Sequence, residues 1–229
     1  MAGLADLKQD YVDAETLDAE LARWMADVAP YQWRPVPPLT PGNAALLVVD
    51  MNRPFVEPGC LLSVPSAGAI LPRIAQAVAA FRQAERPVLW LVQGHHSLEH
   101  DRGAHLSGWW PTMMRAGTED VEMVAGLEPL PEEKVILKRR YSGFYQTDLE
   151  LTLRCLGVTE VVLAGVLTNV CPYATALDAF MRDLGVYYLA DGTAAFNREL
   201  HVSALRNIAA WCGAVVTVEQ VCDWLGGGG

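Results

Sequence analysis

The chain has 229 residues, 52% hydrophobic and 19% charged, a balance that excludes a disordered or fibrous protein and suits one α/β domain. A formal net charge of −10 with no basic block excludes nucleic acid as the main partner. No uninterrupted apolar stretch reaches the ~18 residues of a membrane span. The N-terminus carries neither a basic flank nor a long apolar core, so the expectation is a cytoplasmic protein without membrane or secretory signals. Cys60, Cys155, Cys171, Cys212 and Cys222 are odd in number and show no CxxC spacing, which reads as reduced thiols rather than a disulfide frame or zinc ribbon.

Residues 1–43 read as an N-terminal arm with one amphipathic helix, because Leu17, Leu21, Trp24, Met25 and Val28 recur at helical spacing. Pro30, Pro35, Pro37, Pro38 and Pro41 stop any further helix. The arm is expected to clasp the domain or a neighbouring subunit. The domain proper spans 44–225, and 226–229 is expected to be a disordered glycine tail. Ala44 to Asp50 is the first strand, apolar on both faces until it ends in an acid. That acid either serves ligand chemistry, as strand ends do in open α/β sheets, or caps the next turn. A loop rich in proline and glycine follows over 51–66, then a helix over Ala69–Glu85 and a second strand over Pro87–Gln93.

The stretch 94–130 has no period. It holds His95, His96, His100 and His105, then Trp109, Trp110, Met113 and Met114. The histidines invite a zinc reading, but they bring no cysteine and no HExxH order. A loop lining a pocket, with His95 touching ligand and Trp110 as a wall, and a subunit contact are the other readings. Lys134–Lys138 is the third strand, and Lys138 at its end is by itself a solvated charge. The segment 139–148 then leads into a helix that runs to Gly157.

Val161–Ala164 is the fourth strand, ended by Gly165, after which a tight turn delivers Cys171 to the start of a helix with Pro172 in its first turn. A thiol there feels the positive end of the helix dipole and reads as a nucleophile, or else as a buried core cysteine. That helix reaches to near Gly185, and Val186–Asp191, Leu200–Trp211, Ala214–Val218 and Val218–Leu225 complete the strands and helices. The alternation predicts a three-layer α/β/α, Rossmann-like fold around a six-stranded, mostly parallel sheet. Asp50, Lys138 and Cys171 then share one edge of it. Their chemistry fits: Asp50 can take the thiol proton, Lys138 can hold Asp50 ionised, and amides at the turn into the Cys171 helix can bind an oxyanion.

Three stretches carry a resemblance. Leu46-Leu-Val-Val-Asp50-Met-Asn-Arg-Pro-Phe55, Lys138-Arg-Arg-Tyr-Ser142-Gly-Phe144 and Ala164-Gly165-Val-Leu-Thr168-Asn169-Val-Cys171 resemble the isochorismatase-like cysteine hydrolases over about 44–220. The resemblance implies Asp50, Lys138 and Cys171 as a catalytic triad, a cis peptide at Val166–Leu167, and the Leu167 and Cys171 amides as an oxyanion hole. It also points to a homo-oligomer, dimer or tetramer. Pro172 stands where valine is common and Asn52 where glutamine is usual. The metal-binding acid of the nicotinamidase branch is missing, since Gln93 and Gly94 precede His95 and His96 at its separation. Pro30-Tyr31-Gln32-Trp33 and Gly94-His95 look most like the branch acting on ureido and carbamoyl amides. The expected function is therefore a metal-independent amidohydrolase that needs no cofactor and cleaves a small amide or ureide through a thioester. Phe55, Asn52, His95, Trp110 and Tyr145 are the expected substrate contacts. An isochorismatase-type ether hydrolase and a non-catalytic binding protein are the rivals.

Overall fold

Strands β1 (Ala44–Val49), β2 (Val88–Gln93), β3 (Lys134–Lys138), β4 (Glu160–Val166), β5 (Gly185–Ala194) and β6 (Ala214–Val216) form one sheet in the computed structural model, which describes residues 3–110 and 112–227. Their order is β3-β2-β1-β4-β5-β6 and every neighbouring pair is parallel. The chain winds outward one way from β1 and then the other from β4, so a crevice opens between the ends of those two strands, where such sheets bind ligands.

Helices cover both faces, giving the three layers the sequence predicts. Along β1 the side chains alternate: Leu46 and Val48 face one apolar layer, Leu47 and Val49 the other. The first layer is closed by α3 (Ala67–Gln83) through Ile70, Ile74 and Phe81, and by α8 (Val218–Gly226) through Val221 and Leu225. The second is closed by α1 (Leu17–Val28), α5 (Leu149–Cys155), α6 (Cys171–Phe180) and α7 (Arg198–Trp211). A sheet buried on both faces needs strands without alternation, and β1 and β2 are buried along their whole length.

Several boundaries differ from the sequence reading. β4 continues through Gly165 to Val166 instead of stopping at Ala164. Gly165 has φ +111°, and a Cβ there would lie 1.9 Å from the Val49 carbonyl oxygen. Glycine therefore lets β4 press against β1 where the ladder with β5 shifts register. α6 ends at Phe180, short of Gly185. β5 runs to Ala194, and β6 stops at Val216. Gly226 belongs to α8, and of the expected tail Gly228 and Gly229 lie outside the described residues. The stretch after β2 is partly ordered: a π-helical turn at Leu98–Arg102, α4 (Ala104–Trp109) and a 3-10 turn at Glu119–Val121. Among the described residues, no helix is long and apolar enough to cross a membrane.

The N-terminal segment reaches the region of the Cys171 turn through one histidine. α1 packs against α7, and the buried Trp24 meets the fully buried His201 edge-on with ring centroids 4.5 Å apart. His201 Nδ1 lies 2.8 Å from Thr168 Oγ1, beside Leu167. Burial, with Arg198 adding to it, pushes His201 down to about 3. The folded ring stays neutral where an unfolded one, ordinarily near 6.5, takes a proton. This contribution is complete above pH 6.5 and is lost as pH falls toward 3. Urea unfolding at pH 5 should show stability lower than at pH 7 by on the order of 2 kcal/mol, with a smaller difference in His201→Asn.

Candidate active site

Each polar group of the site sits where a strand runs out. Asp50 follows β1 with φ +53°, and its amide still donates to Leu91 O across the β1–β2 ladder at 2.8 Å. Gln93 ends β2 and Lys138 ends β3, paired directly opposite each other. Asp50 Oδ1 accepts from the Gln93 amide at 2.7 Å, and Asp50 Oδ2 lies 2.7 Å from Lys138 Nζ. The second contact is an ion pair off the line of a directed hydrogen bond. Lys138 Nζ also donates to Gln93 Oε1 at 3.0 Å. Asp50 and Lys138 are both fully buried, so the solvated charge that Lys138 suggests in isolation is not what forms.

Cys171 comes from the other side of the crevice. The Val166–Leu167 peptide is cis, and Thr168 N donates to Ala194 O while Tyr188 Oη donates to Thr168 O, fixing the turn to β5. Cys171 then opens α6 with Pro172 behind it. As a first-turn residue it has an amide N–H with no acceptor inside the helix. Thr175 Oγ1 donates to Cys171 O at 2.7 Å and accepts from Gly143 N at 3.0 Å, tying α6 to the segment after β3. The thiol lies close enough to Asp50 and Lys138 for both of their charges to act on it.

The electrostatics follow from depth. Burial pushes the Cys171 thiol well up, Lys138 pulls it down, and Asp50 adds to the rise. Burial also lowers Lys138, but Asp50 and Cys171 outweigh it and the net shift is upward. The resting site therefore holds a neutral thiol beside an ammonium that does not give up its proton.

A small cavity of about 30 Å³ lies against Cys171. Phe55, His95 and Trp110 line it, as do the Leu167 and Cys171 of the turn. Tyr145 does not: Gly143 is bonded to α6 and Phe144 is buried, which leaves Tyr145 half in solvent. Tyr141 takes that place, its hydroxyl accepting from Trp110 Nε1 at 2.8 Å. Asn52 is also displaced from the expected role. It is fully buried, and its Nδ2 donates to Asp120 O at 2.5 Å and toward Met114 Sδ at 3.8 Å, so it braces the segment after β2.

The four histidines do not gather. His95 is buried at the cavity, while His96, His100 and His105 are not, and His100 is engaged with Ser97. Among the described residues, no three His, Cys, Asp or Glu side chains converge to hold a metal ion.

Besides Tyr141, Gln93 and Arg102 escape sequence reasoning. Gln93 carries the same strand-end signal as Asp50 and Lys138, and only its lack of charge hides it. Arg102 sits in an aperiodic polar run yet is 4% exposed and faces the cavity. Its Nη2 donates to Trp110 O at 2.7 Å and Thr112 O at 2.6 Å. No carboxylate among the described residues pairs with it, and burial lowers its pKa.

A profile of the isochorismatase domain matches residues 44–220. The chain is 38% identical to the ureidoacrylate amidohydrolase RutB of Methylobacterium radiotolerans over 216 residues, 84% of each chain. It is 31% identical to the phenazine biosynthesis protein PhzD1 of Pseudomonas aeruginosa, over 92% of this chain and 93% of that one. The crystal structure of a cysteine hydrolase from Pseudomonas syringae superposes with a TM-score of 0.81 at 28% identity, covering 85% of this chain and 99% of that one.

The buried ion pair makes a stability prediction. Lys138→Met strands the Asp50 charge and should cost roughly 3–5 kcal/mol, whereas Asp50→Asn with Lys138→Met removes both charges and should recover much of that loss. Thermal unfolding of the two variants beside wild type checks the order.

Proposed function

The chain belongs to the isochorismatase family of hydrolases, and from that premise we propose a metal-independent cysteine amidohydrolase that cleaves the C–N bond of a small, carboxylate-bearing amide or ureide. One observation carries the reading: the Cys171 thiol opens α6 beside the buried Asp50–Lys138 pair, near enough for both charges to act on it.

In this reading Asp50 accepts the thiol proton, a transfer the site needs because burial keeps the thiol neutral. The sulfur forms a bond to the carbonyl carbon, and the C=O electron pair moves onto oxygen. The Leu167 and Cys171 amides, beside the positive end of α6, receive that oxyanion. Collapse breaks the C–N bond as Asp50 returns its proton to the leaving nitrogen. Water, deprotonated by Asp50, then cleaves the thioester, and the thiol is restored. Lys138 remains an ammonium throughout and steadies each anionic stage. No step calls for a metal or an organic cofactor, and the dispersed histidines and carboxylates of the described residues offer no ligand set for an ion.

Substrate class rests on Arg102. An unpaired guanidinium buried at the cavity wall is costly unless a ligand supplies the anion, and planar carboxylates match its donor fork. The ureidoacrylate amidohydrolase among the relatives supports the ureido branch. Substrate must also enlarge a cavity of about 30 Å³. α4 is the lining element with least to lose, since it buries no side chain.

Ammonia release from a panel of amides and ureides, with and without a carboxylate, tests the reading. Wild type should turn over carboxylated ureides regardless of chelator, and Cys171→Ala should lose roughly 10³-fold or more in kcat. Arg102→Met should raise KM about tenfold or more for carboxylated substrates alone. Ammonia release that survives Cys171→Ala would remove the thioester, and no release from any substrate would instead reopen acid cleavage of an ether by Asp50.

A further inference from the structure

We infer that His95 is a positioning residue: in its neutral form, protonated on Nδ1, it holds the Gln93 amide so that the amide oxygen faces Lys138, and its protonation releases that hold.

Donors and acceptors fix where the protons sit. An ammonium can only donate, so the atom of Gln93 that meets Lys138 Nζ at 3.0 Å must be the amide oxygen. The Gln93 NH₂ group is then turned toward His95 Nε2, 2.9 Å away. That NH₂ can only donate, so Nε2 must accept, and the ring proton belongs on Nδ1. Nδ1 makes no hydrogen bond, and the group standing 3.7 Å from it is Asp101 Oδ1, a carboxylate oxygen that suits a donor and repels an acceptor. Asp101 is itself held by the His96 and Ser97 amides at 2.8 and 3.1 Å. The backbone of His95 is pinned on both sides, its amide donating to Met114 O and its carbonyl accepting from Ala116 N, each at 2.9 Å. The chain of contacts Asp101–His95–Gln93–Lys138–Asp50 thus has a single consistent set of proton positions.

A proton on Nε2 breaks that set. It would face the Gln93 NH₂, donor against donor. Rotating the amide relieves the clash only by turning NH₂ toward the Lys138 ammonium, which moves the conflict one residue inward. Lys138 then loses a hydrogen bond that fixes it between Asp50 and Cys171. This reading rests on the proposed role of Lys138 but not on the identity of any substrate.

The charges around His95 favour the neutral ring. Burial is the largest influence and lowers its pKa; Asp101 opposes, while Arg102 and Arg140 act with burial. Arg139, 3.4 Å from Asp101, draws part of that carboxylate's charge away, and Lys138 stands beyond Gln93. The ring is therefore neutral at pH 7 and charges only below its ordinary 6.5.

The test follows alkylation of Cys171 by iodoacetamide, read on the Cys171 peptide by mass spectrometry between pH 4.5 and 8, for wild type, His95→Gln and His95→Leu. Glutamine offers an amide oxygen near the position of Nε2 and does not titrate. Wild type should show an inflection below pH 6.5 beyond the rise expected of a single thiol. His95→Gln should label within about threefold of wild type at pH 7.5 and lack the inflection, and His95→Leu should differ roughly tenfold or more. The same inflection persisting in His95→Gln would overturn the proposal. Nitrogen-15 spectra of the wild-type histidines need no variant to fold: an Nδ1–H signal for His95 at pH 7.5 is the expected result, and an Nε2–H signal overturns the proposal. A protein that labels as expected but releases no ammonia would instead refute the amidohydrolase reading and leave this one standing.

Discussion

The structure turns on a fully buried ion pair, Asp50 with Lys138. Taking a carboxylate and an ammonium out of water is expensive, and the attraction between them offsets that cost only when the remaining valences are also met. Gln93 meets them from both ends of its residue, its backbone amide on Asp50 and its side-chain oxygen on Lys138. That arrangement requires the ends of β1, β2 and β3 to lie side by side, which the strand order supplies. The same pair then defines what can stand opposite. A buried thiol between an acid and an ammonium is neutral at rest and has a proton acceptor at hand.

The opposite wall is made by backbone rather than by charge. Gly165 lets β4 lie against Val49, the turn after Val166 is fastened to β5, and α6 begins at the sulfur. Helix dipole and free first-turn amides thus stand against a cavity that is apolar except at Gln93, His95, Arg102, Thr112, Tyr141 and the Cys171 thiol. An apolar enclosure strengthens each of these electrostatic contacts.

Much of this was legible in the sequence, for physical reasons. Strands buried on both faces read as unbroken apolar runs, so β1, β2 and β4 announce themselves, and the residues that end β1 and β3 carry charges that stand out. Legibility fades where long-range pairing decides orientation. Nothing periodic tells that His95 turns inward, because its backbone is set by Met114 and Ala116 about twenty residues away. Tyr141 and Tyr145 are equivalent by composition, and only the bond from Gly143 to Thr175 sends one to the cavity and the other to solvent. Gly165 looks like a strand breaker because the close approach it permits belongs to another strand. Arg102 hides for the same reason: its burial comes from carbonyls at Trp110 and Thr112, not from neighbours that pattern could reveal.

The central claim is that Cys171 becomes covalently acylated with Asp50 as its base. Rapid-quench mass spectrometry of the Cys171 peptide during turnover of a carboxylated ureide tests it most directly. The account predicts a transient acyl adduct on that peptide in wild type and its disappearance in Asp50→Asn with the fold intact. Turnover with no adduct on Cys171, or an adduct forming equally fast in Asp50→Asn, would contradict it.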